Sequence, residues 1–125
     1  MVRNWEIIRA ILLRLESCDT PNVHIHANNF EELDEQEVAY NMRLLDDDGY
    51  IEARIMSSND GSRKINAALA IRLTNAGHNL LDTIRNETVW KKIKAKFASS
   101  GMDMTFDLVI AVGKKIIEGF LASHH

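Results

Sequence analysis

The chain has 125 residues, enough for one domain or one domain with a helical arm. Hydrophobic residues make up 46% of it and charged residues 26%, which suits one core under an ordinary solvated surface. A single cysteine, Cys18, excludes an internal disulfide, and Asp107, Lys114, Lys115 and Glu118 inside the most apolar stretch, 104–122, exclude a membrane span.

The net charge of −3 is unevenly spread. Residues 1–62 hold five basic and thirteen acidic side chains, and residues 63–125 hold ten basic and five acidic. This describes either a solvated surface or a polar molecule whose ends face different partners, or each other in a dimer. Met1–Glu6 has neither the apolar core nor the small-residue cleavage site of a secretory signal, so a cytoplasmic chain is expected.

In chain order, Trp5, Ile8, Ile11, Leu12 and Leu15 recur at amphipathic spacing and predict a helix over 4–16, with Asn4 as its N-cap. Asp19-Thr20-Pro21 signals a turn. Residues 23–26, Val-His-Ile-His, alternate as a short edge strand, and Asn28-Asn29 reads as a turn. A second helix is predicted over 34–48, capped by Asp34 and closed by Gly49. Val38, Met42 and Leu45 form its inner stripe with Ala39 beside it, which leaves Gln36, Tyr40, Asn41 and Arg43 outward.

Residues 50–56 and 65–73 then form a hairpin around Asp60-Gly61. Thr74 caps a third helix to about Arg85, with Ala76, Leu80, Leu81 and Ile84 inward. A fourth helix runs over 87–98 with Val89, Trp90, Ile93 and Phe97 apolar, and Ser99-Ser100-Gly101 breaks it. A fifth covers 104–121 with Phe106, Val109, Ile110, Gly113, Ile117 and Phe120 on one stripe, where Gly113 permits close helix packing.

The order helix, strand, helix, hairpin, helix is that of a winged helix: a mostly α, α+β fold with a β-hairpin wing and additional C-terminal helices. The expected division is a winged-helix domain at 1–86 and a helical extension at 87–125. The junctions Leu44-Leu45-Asp46-Asp47-Asp48-Gly49-Tyr50-Ile51 and Arg72-Leu73-Thr74-Asn75-Ala76-Gly77-His78 resemble winged-helix proteins generally. Together with Asn4-Trp5-Glu6-Ile7-Ile8-Arg9, Glu37 to Leu45 and Thr88-Val89-Trp90-Lys91-Lys92, they resemble a bacterial and phage family, domain of unknown function 2513, itself similar to the YjcQ winged-helix group. The resemblance covers most of 4–97. It implies a winged-helix fold and a phage or prophage setting, and it brings no catalytic residues. Residues 21–33 are too polar and strand-like for a good positioning helix, so the helix-turn-helix element reads as degenerate.

No phosphate loop or nucleophile elbow is present, so neither an enzyme nor a cofactor is expected. His24 and His26 on one strand face would suit two metal ligands, but no further His or Cys at ligand spacing completes a metal site. Asp46-Asp47-Asp48 reads as a surface cluster paired with arginines, or as a negative patch that recruits a basic protein. A second basic face, over 85–96, carries Arg85, Lys92 and Lys96 at helical spacing with Lys91 and Lys94 nearby.

Two functions fit. One is a regulator of transcription that contacts double-stranded DNA through Gln36, Tyr40, Asn41, Arg43, Arg63 and Lys64. It would form a homodimer through Trp90, Phe97, Phe106, Val109, Ile110, Gly113, Ile117 and Phe120. The other is a protein-interaction module whose acidic N-terminal half binds a basic protein partner.

Overall fold

The computed structural model describes residues 1–18, 20, 24–62 and 64–123. These form two compact units, Met1–His78 and Asn79–His125. No helix among the described residues is long and apolar enough to cross a membrane.

The first unit opens with α1, Trp5–Glu16. The Asn4 side chain accepts from the N–H groups of Glu6 and Ile7, two donors that have no partner inside the helix. Ile7, Ile8, Ile11 and Leu12 are buried along one face. The expected turn at Asp19-Thr20-Pro21 lies mostly outside the described residues, as does Val23.

Strand β1 is shorter than its alternation predicts, only Ile25–His26. His24 precedes it and lies outside the strand. In place of the expected turn, Ala27–Asn29 forms a short 3-10 helix, and Asn29 Oδ1 accepts from the His26 N–H at 2.8 Å.

Helix α2, Glu35–Asp47, starts where Asp34 accepts from the Glu37 N–H. It ends on Gly49, whose φ of +79° suits a residue without a Cβ. Strands β2, Ile51–Ser57, and β3, Ile65–Leu73, form the hairpin. The sheet is antiparallel in the order β1-β3-β2, so β1 lies at an edge, as expected. Helix α1 packs on α2 and β3, and α2 packs on both β2 and β3. Val38, Met42 and Leu45 of α2 and Ile51, Ala68 and Ala70 of the sheet are all buried in this core. Each fully buried Leu or Ile is worth about 1.5–3 kcal/mol, so this stripe decides which face of α2 turns inward.

Helix α3 runs Asn75–Ile84, and the division between the units falls inside it. Its buried positions are Gly77, Leu80, Leu81, Thr83 and Ile84. Ala76, expected inward, is exposed in the first turn of the helix, ahead of this run.

In the second unit, α4, Glu87–Ser100, is capped by Asn86, which accepts from the Val89 N–H. It closes on the left-handed Gly101. Helix α5, Phe106–Ser123, packs on α4. A Cβ at Gly113 would stand 2.2 Å from Thr83 Cγ2 and 3.1 Å from Ile93 Cδ1, so this position does mark a close helix approach.

Candidate nucleic-acid interface

Four of the six predicted DNA contacts lie near one another. Gln36, Tyr40 and Arg43 follow one face of α2, and Lys64 stands at the foot of β3. With Met1, Ser62 and Ile65 they line a groove of about 530 Å³ between α2 and the hairpin. Arg43 also borders a smaller recess with Ser57, Ser58 and Gly61. Arg63 lies outside the described residues.

Asn41 is not an outward contact. It is fully buried, its Oδ1 accepts from the Asn4 N–H at 2.9 Å, and its Nδ2 donates to the Glu37 carbonyl at 2.8 Å. Its amide thus joins the start of α1 to α2. The sequence held a signal for this, because Val38, Asn41, Met42 and Leu45 are spaced i, i+3, i+4, i+7.

Gln36 lines the groove, yet its amide is engaged. Nε2 donates to the Ile65 carbonyl at 2.7 Å, and Oε1 accepts from the Ile65 N–H at 3.3 Å. Arg43 donates to Ser57 Oγ at 3.2 Å. Asp46, read as part of a surface cluster, is half-buried and accepts from the Ala53 N–H at 3.0 Å. Asp47 and Asp48 are exposed.

At the hairpin tip, Asp60 Oδ1 accepts from the Ser62 N–H at 2.9 Å. The Ser62 hydroxyl, the Ser62 N–H and Ser58 together hold the Asp60 carboxyl at about 2, below its ordinary 3.8.

The two sequence junctions meet each other. The Thr74 N–H donates to the Tyr50 carbonyl at 3.1 Å, and the Thr74 hydroxyl donates to the Gly49 carbonyl. Thr74 Oγ1 in turn accepts from the Gly77 N–H at 3.1 Å. Gly77 lies so close to Tyr50 that a Cβ there would stand 1.9 Å from the Tyr50 oxygen. The foot of the hairpin and the start of α3 are therefore fixed as one piece.

The proposed oligomer residues divide. Trp90, Phe97, Phe106, Val109 and Gly113 are buried within the chain, so they offer no surface to a second copy. Ile110, Ile117 and Phe120 are half-buried. Lys92 Nζ sits 4.4 Å from the Phe120 ring centroid and Lys94 Nζ 5.4 Å from that of Trp90. No group of three or more metal-ligating side chains occurs among the described residues.

Fold and groove together define a small, mostly helical α+β chain whose hairpin and second helix form one polar face. The chain belongs to the family described as Hypothetical protein (DUF2513), whose model matches residues 2–103. It is similar to an uncharacterized protein of Haemophilus influenzae, 40% identical over 123 residues that cover 98% of this chain and 100% of that protein. The family model ends ahead of α5, whereas the similarity to the Haemophilus protein continues into it. No solved structure matches the chain.

Proposed function

We propose that this chain is a winged-helix protein that binds duplex DNA, with the β2–β3 hairpin as the wing and α2 lying along it. The sheet order β1-β3-β2, with α1 and α2 packed against it, supports the winged-helix reading. The short 3-10 helix Ala27–Asn29 stands where a positioning helix would precede α2.

The observation that carries the reading is the convergence of Gln36, Tyr40, Arg43 and Lys64 on one groove. Arg43 and Lys64 supply positive charge, with Arg63 adjacent in sequence. DNA affinity comes largely from phosphate neutralisation, and each contact adds about 0.9 to the slope of log K against log salt. A labelled duplex followed by anisotropy at about 50 mM salt tests this. Arg43→Ala with Lys64→Ala should weaken binding and flatten the salt slope by about two. Binding unchanged in that double variant would sink the reading.

A specific observation favours a second reading. Arg14, Asn29, Phe30, Glu31, Glu32 and Leu33 line a groove of about 490 Å³, with Arg14 stacked 5.3 Å from the Phe30 ring centroid. Its exposed carboxylates and exposed Leu33 suit a basic, partly apolar protein segment. Saturable binding of a basic peptide, abolished by Glu31→Lys with Glu32→Lys and indifferent to Lys64→Ala, would favour this reading over the first.

A further inference from the structure

We infer that this face binds DNA through backbone phosphates and does not select sequence through base edges. The inference rests on the DNA reading above and names what that site recognises. Base readout requires polar side chains that project from the inserted helix with donors and acceptors unspent. The side-chain amides of Asn and Gln are the usual adenine readers, and α2 carries one of each.

Both amides are spent inside the chain. Gln36 uses its donor and its acceptor on the backbone of a single residue, Ile65. Asn41 is fully buried and uses its two ends on Asn4 and Glu37. The Arg43 guanidinium is half-buried and gives one of its N–H groups to Ser57 at the end of β2. Asp46, a carboxylate that could accept from cytosine, is occupied by the Ala53 N–H.

The exposed charged side chains on α2 are the carboxylates Glu35, Glu37 and Asp47. Phosphates line both walls of the groove and repel them, which keeps α2 from seating deeply enough to touch bases. Lys64, directly ahead of β3, is exposed, and a lysine ammonium binds phosphate as a point charge without regard to sequence.

The test compares three duplexes of one length, one all A·T, one all G·C and one mixed, by anisotropy at about 50 mM salt. The unaltered protein should bind all three within about threefold, where a base-reading protein separates specific from non-specific sites by roughly 10³–10⁷. Arg43→Ala with Lys64→Ala should weaken all three to the same degree. Gln36→Ala should leave their ratio unchanged. A preference of about tenfold or more for any one duplex overturns the inference and leaves the DNA reading standing. Failure to bind any of the three overturns the DNA reading, and this inference with it.

Discussion

Replacing Gly77 with alanine sets two effects of opposite sign against each other. Inside a helix, alanine is favoured over glycine by about 0.8–1.0 kcal/mol. At this position the new Cβ would stand 1.9 Å from the Tyr50 oxygen, 2.9 Å from the Tyr50 carbonyl carbon and 3.3 Å from Leu73 Cδ2. The first two atoms are backbone and cannot rotate aside. Relief requires α3 to lift from the Gly49–Tyr50 junction, which breaks the Thr74–Tyr50 hydrogen bond. Overpacking costs about 1–3 kcal/mol and the lost bond about 0.5–1.5. Less the propensity gain, the net loss is roughly 0.5–3.5 kcal/mol. At about 4 °C per kcal/mol, Tm should fall by roughly 2–14 °C. Urea unfolding followed by circular dichroism and tryptophan fluorescence measures the free energy directly. Gly49→Ala is the control: its Cβ would meet nothing within 4 Å, and only the left-handed backbone, φ +79°, opposes it, at about 1–2 kcal/mol. A Gly77→Ala protein as stable as the original, or more so, would refute the close approach and leave helix propensity as the whole effect.

Asn41→Ala should destabilise by about 1–3 kcal/mol in the same urea assay, because it removes the acceptor for the Asn4 N–H. Asn41→Asp should cost more, since a carboxylate replaces the donor that faces the Glu37 carbonyl. Gly113→Ala should cost about 1–3 kcal/mol through contact with Thr83 Cγ2, and Thr83→Ser, which deletes that methyl and keeps the hydroxyl, should recover part of it. The Asp60 carboxyl should titrate near about 2 by carbon NMR, and Ser62→Ala should move its midpoint toward 3.8. Because the folded value lies below the ordinary one, the Asp60 contribution to stability is present above about 3.8 and is lost as pH falls through about 2.

Much of the fold was legible because apolar periodicity and caps act locally. Asn4 and Asp34 each sit directly ahead of a helix and accept from its first turn. The hairpin followed from alternating residues around Asp60-Gly61. Two errors share one cause, which is the weight given to apolar character over position. On α2 the stripe includes Asn41, and on α3 it includes Gly77, yet neither residue is hydrophobic. A polar amide or a bare glycine on the inner face cannot be read from hydrophobicity. It becomes legible only when the i, i+3, i+4, i+7 frame is completed first. For α5, hydrophobicity cannot reveal that Phe106, Val109 and Gly113 are consumed within the chain while Ile110, Ile117 and Phe120 stay half-buried.

The polar residues of α2 also explain why the candidate site was only half legible. Their partners lie where the β2–β3 ladder breaks. The register shifts between Glu52 and Ala53, and Asp46 accepts from the Ala53 N–H. It shifts again between Met56 and Ser57, and there Arg43 donates to Ser57 while Gln36 bonds the facing Ile65 through both N–H and carbonyl. A bulge leaves backbone groups without ladder partners, and leaving such groups unpaired costs about 1–3 kcal/mol each when buried. Asp46 and Gln36 meet that need at both ends of the hairpin, and Arg43 adds a bond to the Ser57 hydroxyl, so α2 and the hairpin hold one relative orientation. Gln36, Arg43 and Asp46 are therefore committed to fixing the hairpin, while Asn41 joins α2 to the start of α1. Residue type along α2 suggested a reader of sequence; the partners of those residues describe a rigid frame that presents a basic hairpin.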